Sequence, residues 1–276
     1  MGAEAATTNM TASQLYAALK RDLIDGRFTA GQKLAITVLR QRYGVGLSPL
    51  RETLNRLAAY GLLEQENQRG FRVPALKRAE LDDIADLRRR LEGLALAQAL
   101  QAGGDEWEAG LLAAFHRLKR ADETPGQLEH WEQMHLQFHR HLLEPCGSAW
   151  LLRFIEQLHD QFDRYRRMAP ANDTIRETLN LQHGQLVELA MARDVPAARA
   201  LLEEHIRLSH EVARGPAERI KPARKRGTSG RGSSGQGLSL PDHRRTSAPL
   251  RRCSSRVSER LSSAGHASLR RAPWLS

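Results

Sequence analysis

The spacing of apolar residues divides the chain into a short segment of mixed character, a long helical segment, and a final segment with no apolar period. Near the start, leucines recur every four positions from Leu15 to Leu23, after Thr11, which predicts a helix with one buried face. The pair Asp25-Gly26 ends this helix. A second, shorter helix is predicted over residues 36–43, and its apolar positions are Val38, Leu39 and Tyr43.

A third helix and a hairpin complete the first segment. Ser48 is expected to cap the helix and Pro49 to occupy its first position, with Gly61 as its end. Its buried stripe is Leu50, Leu54, Leu57 and Ala58. Residues 62–66 and 71–73 then read as two strands around a turn at residues 67–70.

The middle segment carries a helical period throughout and no strand signal. A capping box of Asp105 with Glu108 is expected at the start of one helix. The pattern therefore predicts a helical bundle. Its helices are expected from about residue 80 to 102 and over residues 105–121, 128–143, 149–168, 173–191 and 196–212.

The last segment, residues 215–276, is rich in Ser, Arg and Gly and is expected to be disordered, because it cannot bury enough apolar surface to offset chain entropy. It also explains the net charge of +10: residues 1–76 contribute +4, residues 77–214 contribute −5 and residues 215–276 contribute +11. The basic balance is therefore no argument that the folded part binds nucleic acid. The tail is either a non-specific phosphate-binding extension or an inert one.

Composition is that of a soluble globular protein, with 41% hydrophobic and 27% charged residues. No apolar run is long enough to span a bilayer, and no secretory signal is visible at the start. The two cysteines, Cys146 and Cys253, lie in segments of different character, so a structural disulfide is not expected. These features favour a cytoplasmic protein without membrane partners.

Two short helices, a glycine-containing turn and a polar third helix form a helix-turn-helix pattern. The third helix would lie in the major groove, with Ser48 and Arg51 facing the bases and Asn55 one turn later. The hairpin tip, Gln68-Arg69-Gly70, suits a contact to the backbone or the minor groove. The alternatives are a solvated surface Arg51 and a Gly70 that serves only the turn.

The sequence GVGLSPLRETLNRL at residues 44–57, followed by YGLL at residues 60–63, resembles the winged-helix signature of the GntR family. The resemblance implies a winged helix-turn-helix domain over residues 11–76 and contacts to operator DNA from Thr37, Ser48, Pro49, Arg51, Gln68, Arg69 and Gly70. Leu47 and Thr37 stand where relatives often have arginine, so an operator sequence cannot be transferred.

Four of the 11 histidines stand out in the helical segment. His135 and His139 are four residues apart and share one helix face, while His183 and His205 lie on two later helices. Such a set can hold a metal inside a bundle. The alternative is that each is an ordinary surface or core histidine.

The order of Arg88-x-x-Leu-Glu92, His135-x-x-Phe-His139, Gln182-His183 and Glu204-His205 resembles the FCD domain of the FadR-like GntR subfamily. The resemblance implies an all-α bundle of six to seven helices over residues 78–214 and a divalent metal. In that domain the metal is held by one Asp and three His; His135 stands here where the Asp is usual. A fourth imidazole favours zinc, with nickel as the alternative.

Further segments resemble the CsiR/GlaR group of glutarate-responsive repressors, among them GGDEWEA at residues 103–109 and QRGFRV at residues 68–73. The resemblance implies a small carboxylate effector, glutarate or a related dicarboxylate. One carboxylate would bind the metal, and an arginine would pair with the other. Arg88 is the first candidate and Arg166 the second, with Tyr165 beside it. The alternatives are a helix-surface ion pair of Arg88 with Glu92 and an exposed position for Tyr165-Arg166.

The sequence, read with these resemblances, predicts a mainly α, non-enzymatic repressor that binds operator DNA as a homodimer. The resemblance also implies that the effector releases it from the operator. Two other interpretations remain at this point. Histidines around a metal with an open position can activate water, as in a metallohydrolase. The metal could also be purely structural.

Overall fold

The computed structural model describes residues 10–66, 70–123, 127–169 and 173–219. These residues form two helical regions joined at residues 74–77, and the first contains a small sheet. The winged domain contains the helices α1 (Ala12–Ile24), α2 (Ile36–Tyr43) and α3 (Leu47–Ala59). The bundle contains α4 (Arg78–Ala102), α5 (Asp105–Asp122), α6 (Leu128–Leu143), α7 (Ala149–Arg166), α8 (Asp173–Met191) and α9 (Val195–Arg219), with a 3₁₀ turn at Glu144–Cys146.

The sheet has three antiparallel strands, β1 (Lys33–Leu34), β2 (Glu64–Gln65) and β3 (Phe71–Arg72), with β3 in the centre. The hairpin of β2 and β3 confirms the predicted wing, but both strands are shorter than expected. Leu62 and Leu63, predicted in a strand, instead pack into the domain core. The strand β1 was not predicted, because two residues are too few to give an alternating pattern.

Two predicted N-terminal caps are wrong. Helix α3 begins at Leu47 with the extended backbone of Gly46 before it, so Ser48 is the second helical residue and caps nothing. Pro49 fits at the third position, because backbone N–H groups in the first turn have no acceptor within the helix. Helix α5 likewise begins at Asp105 after Gly104, with no side-chain cap, so the predicted capping box does not form.

The winged domain has its own apolar core. The predicted stripe of α3 is confirmed for its leucines, which are fully buried, while Ala58 is half-buried. Leu39 of α2 is buried, whereas Val38 is 59% exposed. The core is built from all three helices and the sheet: Leu15, Leu19, Leu23, Leu34, Leu39, Leu50, Leu54, Leu57, Leu62 and Phe71.

The bundle packs around α4, which contacts α7 and α9 along its length. Helix α9 continues to Arg219, so the predicted end of the domain at residue 214 is too early, and the predicted disorder of residues 215–219 is wrong. The rest of the predicted tail lies outside the described residues. Cys146 is a buried free thiol. Among the described helices, none has an apolar stretch long enough to cross a membrane.

The winged domain rests on α7. The Tyr60 hydroxyl, at the end of α3, donates to Asp160 Oδ2 at 2.6 Å, and Gln157 Nε2 donates to the Tyr60 carbonyl at 2.9 Å. Gly61 has φ +87°, and a Cβ there would stand 3.2 Å from Gln161 Nε2. Glycine therefore permits both the turn after α3 and the close approach of α7.

Candidate metal and effector site and DNA-binding surface

Four histidines from three helices meet in the interior of the bundle. His135 and His139 come from α6, His183 from α8 and His205 from α9. One ring nitrogen from each lies within 4.8 Å of the others. His139, His183 and His205 are buried, while His135 is half-buried and borders a cavity. The four side chains selected from the sequence are thus brought together as predicted.

Aromatic rings fix the orientation of this cluster. Trp131, one turn before His135 on α6, stacks on the His135 ring at 4.8 Å between centroids. The Phe138 ring packs edge-on against His139 and His183, at 5.3 and 5.2 Å between centroids. Phe138 is fully buried and also packs against Phe115, at 6.1 Å between ring centroids, so it links the histidine cluster to the apolar core of the bundle.

Several ring nitrogens of the cluster have no hydrogen-bond partner among the described residues, so their lone pairs are available to a metal. His205 Nδ1 lies 3.1 Å from Gln182 Oε1 and donates to it, which leaves the lone pair of Nε2 for another partner. Both nitrogens of His183 and Nδ1 of His139 are buried without a hydrogen-bond partner among the described residues. Leaving such groups unsatisfied costs about 1–3 kcal/mol each.

The histidines are held in the neutral form. Burial lowers the pKa of His135, His139 and His183 well below the usual value, and the neighbouring imidazoles lower it further. Burial, with the charge of Arg88, lowers the pKa of His205 to about 3. Neutral imidazole is the form that binds metal, so this donor set fits a divalent ion with a preference for nitrogen ligands.

A cavity of about 490 Å³ opens beside the cluster. Its wall includes His135 and His183 and is otherwise both aromatic and charged, with Trp131, Glu132, Arg166, Arg167 and Arg176. The indole Nε1 of Trp131 is buried without a hydrogen-bond acceptor in the described part of the chain. A volume of this size accommodates a small organic acid. A second cavity of about 470 Å³, between α6 and α7, reaches His139 and His159.

Arg166 is the predicted effector residue that faces this cavity. Its guanidinium binds both carboxylate oxygens of Glu132, one of them at 2.9 Å, and Asp163 Oδ1 at 2.9 Å. Burial would lower the pKa of Arg166, but the charges of Asp163 and Glu132 raise it, so the residue stays charged. The alternative of an exposed Arg166 is therefore wrong. In this structure a side-chain carboxylate occupies the position of a bidentate ligand.

Arg88 and Tyr165 lie elsewhere. Arg88 Nε donates to Glu92 Oε1 at 2.7 Å, and Arg88 Nη2 lies 3.2 Å from His159 Nε2. All three are buried, so the pair with Glu92 is not the surface pair considered from the sequence. Neither described cavity includes Arg88 in its wall.

Tyr165 is fully buried and belongs to the wall of neither cavity. Its hydroxyl accepts from Lys77 N at 3.2 Å and donates to Glu80 Oε2 at 3.0 Å. It anchors the segment that joins the two domains and does not line the cavity with Arg166. The prediction that Tyr165 lies beside Arg166 in the effector site is therefore wrong, and the alternative of an exposed Tyr165 is wrong as well.

The candidate DNA-binding residues lie on the outer faces of α2 and α3. Thr37, Ser48, Arg51 and Asn55 are exposed, and Pro49 is half-buried. Arg51 forms no ion pair with another described residue. Exposed Val38 and Leu47, 59% and 43% accessible, share this surface and were not predicted as contacts. Gly70 adopts φ +126°, as its alternative role in the turn requires, and Gln68 and Arg69 lie outside the described residues.

Comparison with known proteins agrees with both halves of the chain. Residues 11–73 match the model of bacterial regulatory proteins of the gntR family, and residues 83–208 match the FCD domain. The HTH-type transcriptional repressor GlaR of Escherichia coli K12 is 37% identical over 198 residues, which span 69% of this chain and 90% of GlaR. The chain belongs to the GntR family. Its FCD domain assigns it to the FadR-like branch, and it is therefore a transcription regulator.

Other relatives share the same architecture. The regulator BphR of Paraburkholderia xenovorans LB400 is 37% identical over 201 residues, spanning 71% of this chain and 82% of BphR. The structure of McbR/YncC of Escherichia coli superposes with a TM-score of 0.66 at 24% identity and covers 74% of this chain and 97% of that one. The latter likeness supports the fold, a winged helix-turn-helix followed by a helical bundle.

Proposed function

We propose that this regulator is a repressor whose operator binding is relieved when a small dicarboxylate, glutarate or a close relative, binds in the cavity beside the four histidines. The observation that carries the proposal is Arg166, a buried guanidinium that already binds a carboxylate in bidentate fashion next to His135 and His183. The repressor GlaR, 37% identical, supports the direction of the response. Such a protein acts in the bacterial cytoplasm, on chromosomal DNA.

His135, His139, His183 and His205 would hold a divalent metal, with zinc favoured and nickel as the alternative. The bound metal would supply a Lewis-acidic position for one carboxylate of the effector. Gln182 orients His205, Trp131 orients His135, and Phe138 closes the apolar side of the cluster. The protein's own contribution is thus to hold four neutral imidazoles in place and to exclude water from three of them.

Repression of a near-palindromic operator would require two copies of the winged domain. An exposed apolar surface on the bundle supports a homodimer. Trp150 and Phe154, one turn apart on α7, are 67% and 53% exposed with ring centroids 6.1 Å apart. Leu94, which is 48% exposed, lies on α4, the helix that packs against α7. We infer that this surface packs against a second copy.

Operator titration by fluorescence anisotropy tests the function. Purified full-length protein is loaded with zinc, its metal content is measured by elemental analysis, and an operator is first selected from genomic DNA. Glutarate is then added to the saturated complex. We expect release of the operator at glutarate concentrations that do not release it from the Arg166→Met variant. The matched control is Arg117→Met, which changes an exposed arginine of α5 outside this cavity. Retention of the operator by wild-type protein at saturating glutarate would refute the proposed effector class.

Two other interpretations predict different results. A metallohydrolase would show turnover, yet the relatives above are transcription regulators. A structural metal would be needed for folding and not for the response. Replacement of His139, discussed below, separates a structural metal from a sensing one.

A further inference from the structure

Arg167, the residue after Arg166, carries an ion pair between the two domains. Its guanidinium contacts Oδ1 of Asp25, the residue that ends α1 in the winged domain. The pair is about four-fifths buried, with 21% and 16% of the two side chains exposed. Glu132 Oε2 lies 3.8 Å from Arg167 Nη2, so the pair adjoins the carboxylate that binds Arg166. Two adjacent guanidinium groups at the end of α7 are thus each paired with a carboxylate.

The same pair lines the cavity beside the histidines. Arg166 and Arg167 belong to its wall, and Asp25 and Arg27 add a contribution from the winged domain. A molecule bound in this cavity would therefore touch both domains. The winged domain contributes a carboxylate there, which is the group that the proposed effector also carries.

Arg167 is not fully satisfied by its present partners. Its Nε is buried and has no hydrogen-bond acceptor among the described residues. Asp25 is not an optimal partner either: burial raises the pKa of Asp25 in spite of the opposing charges of Arg167 and Arg27. The ion pair with Arg167 therefore offsets only part of the cost of removing the Asp25 carboxylate from water. A planar carboxylate that reached Nε as well as a terminal nitrogen would bind Arg167 better.

We propose that Arg167 binds the second carboxylate of the effector and that Asp25 of the winged domain is the internal carboxylate that the effector displaces. The inference rests on the proposed function and extends it to the coupling between sites. Arg166 remains paired with Glu132 and Asp163, which belong to the bundle itself, and it neutralises their charges beside the cavity. Its loss in Arg166→Met would leave those carboxylates to repel glutarate, so that variant weakens the response even though Arg167 binds the ligand. Asp25 differs because it belongs to the other domain and can leave together with that domain. Effector and winged domain thus compete for one guanidinium, which releases α1 from α7 when the effector binds.

Competition must act in both directions, because coupling between two binding events is reciprocal. Removing the charge of Asp25 should strengthen glutarate binding. The test compares wild-type protein with Asp25→Asn, both full-length and zinc-loaded, by calorimetry with glutarate. We expect Asp25→Asn to bind glutarate about tenfold more tightly, a coupling of ordinary size. The matched control is Glu156→Gln, which removes one carboxylate facing Lys20 across the same domain boundary, 3.9 Å away and outside this cavity.

A second variant tests the arginine itself. Arg167→Lys keeps the positive charge but cannot offer two parallel donors. Glutarate, with two carboxylates, should bind this variant about tenfold more weakly than wild type. Pentanoate, with the same carbon chain and one carboxylate, should bind both proteins alike. Equal loss for glutarate and pentanoate would show a general defect of the cavity and overturn the assignment of a second-carboxylate site.

Failure of this inference is distinguishable from failure of the proposed function. Glutarate binding to wild type with equal affinities in Asp25→Asn and wild type would overturn the inference and leave the effector class intact. If wild-type protein does not bind glutarate, the proposed effector class fails, and a measurement without ligand then tests the ion pair of Arg167 with Asp25. In ligand-free protein, hydrogen exchange at residues 24–27 and 166–168 should be faster in Asp25→Asn than in Glu156→Gln. Equal exchange rates would mean that the ion pair does not hold the winged domain.

Discussion

The Tyr60 hydroxyl donates to Asp160 Oδ2 at 2.6 Å, and this bond joins the end of α3 to α7, the helix that carries His159. Lys20 Nζ meets the same carboxylate at 2.6 Å, so one buried acid binds two elements of the winged domain. His159, the preceding residue, lies beside Arg88, Glu92 and the ring of His139. Adjacent residues of α7 therefore contact the histidine cluster and the DNA-binding domain.

We predict that Tyr60→Phe weakens the coupling between effector and operator. The change removes a hydrogen bond to a charged group, which is worth about 1.5–3 kcal/mol. Thermal unfolding should show a lower midpoint, and operator release should require more glutarate or become incomplete. The control is Tyr16→Phe, since the Tyr16 ring packs under Arg56 and its hydroxyl forms no hydrogen bond with Asp160. Identical release curves for Tyr60→Phe and wild type would exclude a role for this bond in coupling.

Arg51 provides the prediction for DNA binding. It is exposed in the first turn of α3 and is not committed to an ion pair within the described structure. Arg51→Ala should lose an interaction worth about 1–3 kcal/mol per copy with a base or phosphate. In a gel shift, specific operator binding should disappear at concentrations that saturate the wild type, while thermal stability is kept. Arg117→Ala, an exposed arginine of α5, is the control. Unchanged operator affinity of Arg51→Ala would remove α3 as the base-reading helix.

Replacement of His139 distinguishes a sensing metal from a structural one. His139→Ala removes one ligand and leaves three, so zinc content should fall at a fixed chelator concentration. We expect a folded protein that still binds the operator but no longer responds to glutarate. The control is His116→Ala, which changes an exposed histidine of α5. Loss of the folded state by circular dichroism, restored by excess zinc, would instead favour a structural role for the metal.

The sequence predicts the histidine cluster well for a physical reason. Residues four apart must share a helix face, so His135 and His139 are paired by helix geometry alone. The same rule explains the error at Tyr165. Successive helix residues point about 100° apart, so a residue next to one that faces a cavity need not face it as well. Here Arg166 faces the cavity and Tyr165 faces the linker.

Other features of the site depend on contacts that no local pattern contains. Arg166 and Glu132 are 34 residues apart, and Arg167 and Asp25 are 142 apart. Trp131 is the exception, because its spacing of four from His135 could have identified it as a neighbour of the cluster. The surface position of Val38 could not be foreseen either, since an apolar residue in a short helix is more often buried.

Self-association provides a separate prediction. Phe154→Glu introduces a charge into the exposed apolar surface formed with Trp150 and Leu94. If this surface joins two copies, burying that charge is unfavourable, and the mass measured by light scattering should fall toward that of one chain. Operator affinity should fall with it. The control is Leu112→Glu, a substitution at an equally exposed apolar residue of α5. A dimeric mass for Phe154→Glu at micromolar concentration would place the interface elsewhere.

The buried pair of Arg88 and Glu92 gives a prediction with a distinctive pH dependence. Burial alone would raise the pKa of Glu92, but the charges and hydrogen bonds of Arg88 and His159 outweigh it and lower that pKa to about 2. Because the folded-state value lies below the ordinary value of 4.5, the pair stabilises wild-type protein above about pH 4.5. That contribution is lost as the pH falls toward 2.

Arg88→Met should reverse this behaviour. It leaves a buried carboxylate without its main partner, which costs about 3–5 kcal/mol near neutral pH. Burial then dominates and raises the pKa of Glu92 above 4.5, so protonation on acidification relieves the penalty. The difference in unfolding free energy between variant and wild type should therefore shrink from pH 7 to pH 4.5, as measured by urea denaturation at each pH. Arg207→Met, which removes an exposed arginine paired with Glu204 and Glu211, should show only a small difference across the range. A pH-independent gap for Arg88→Met would mean that lost packing against Phe162, 4.5 Å from the guanidinium, outweighs the charge.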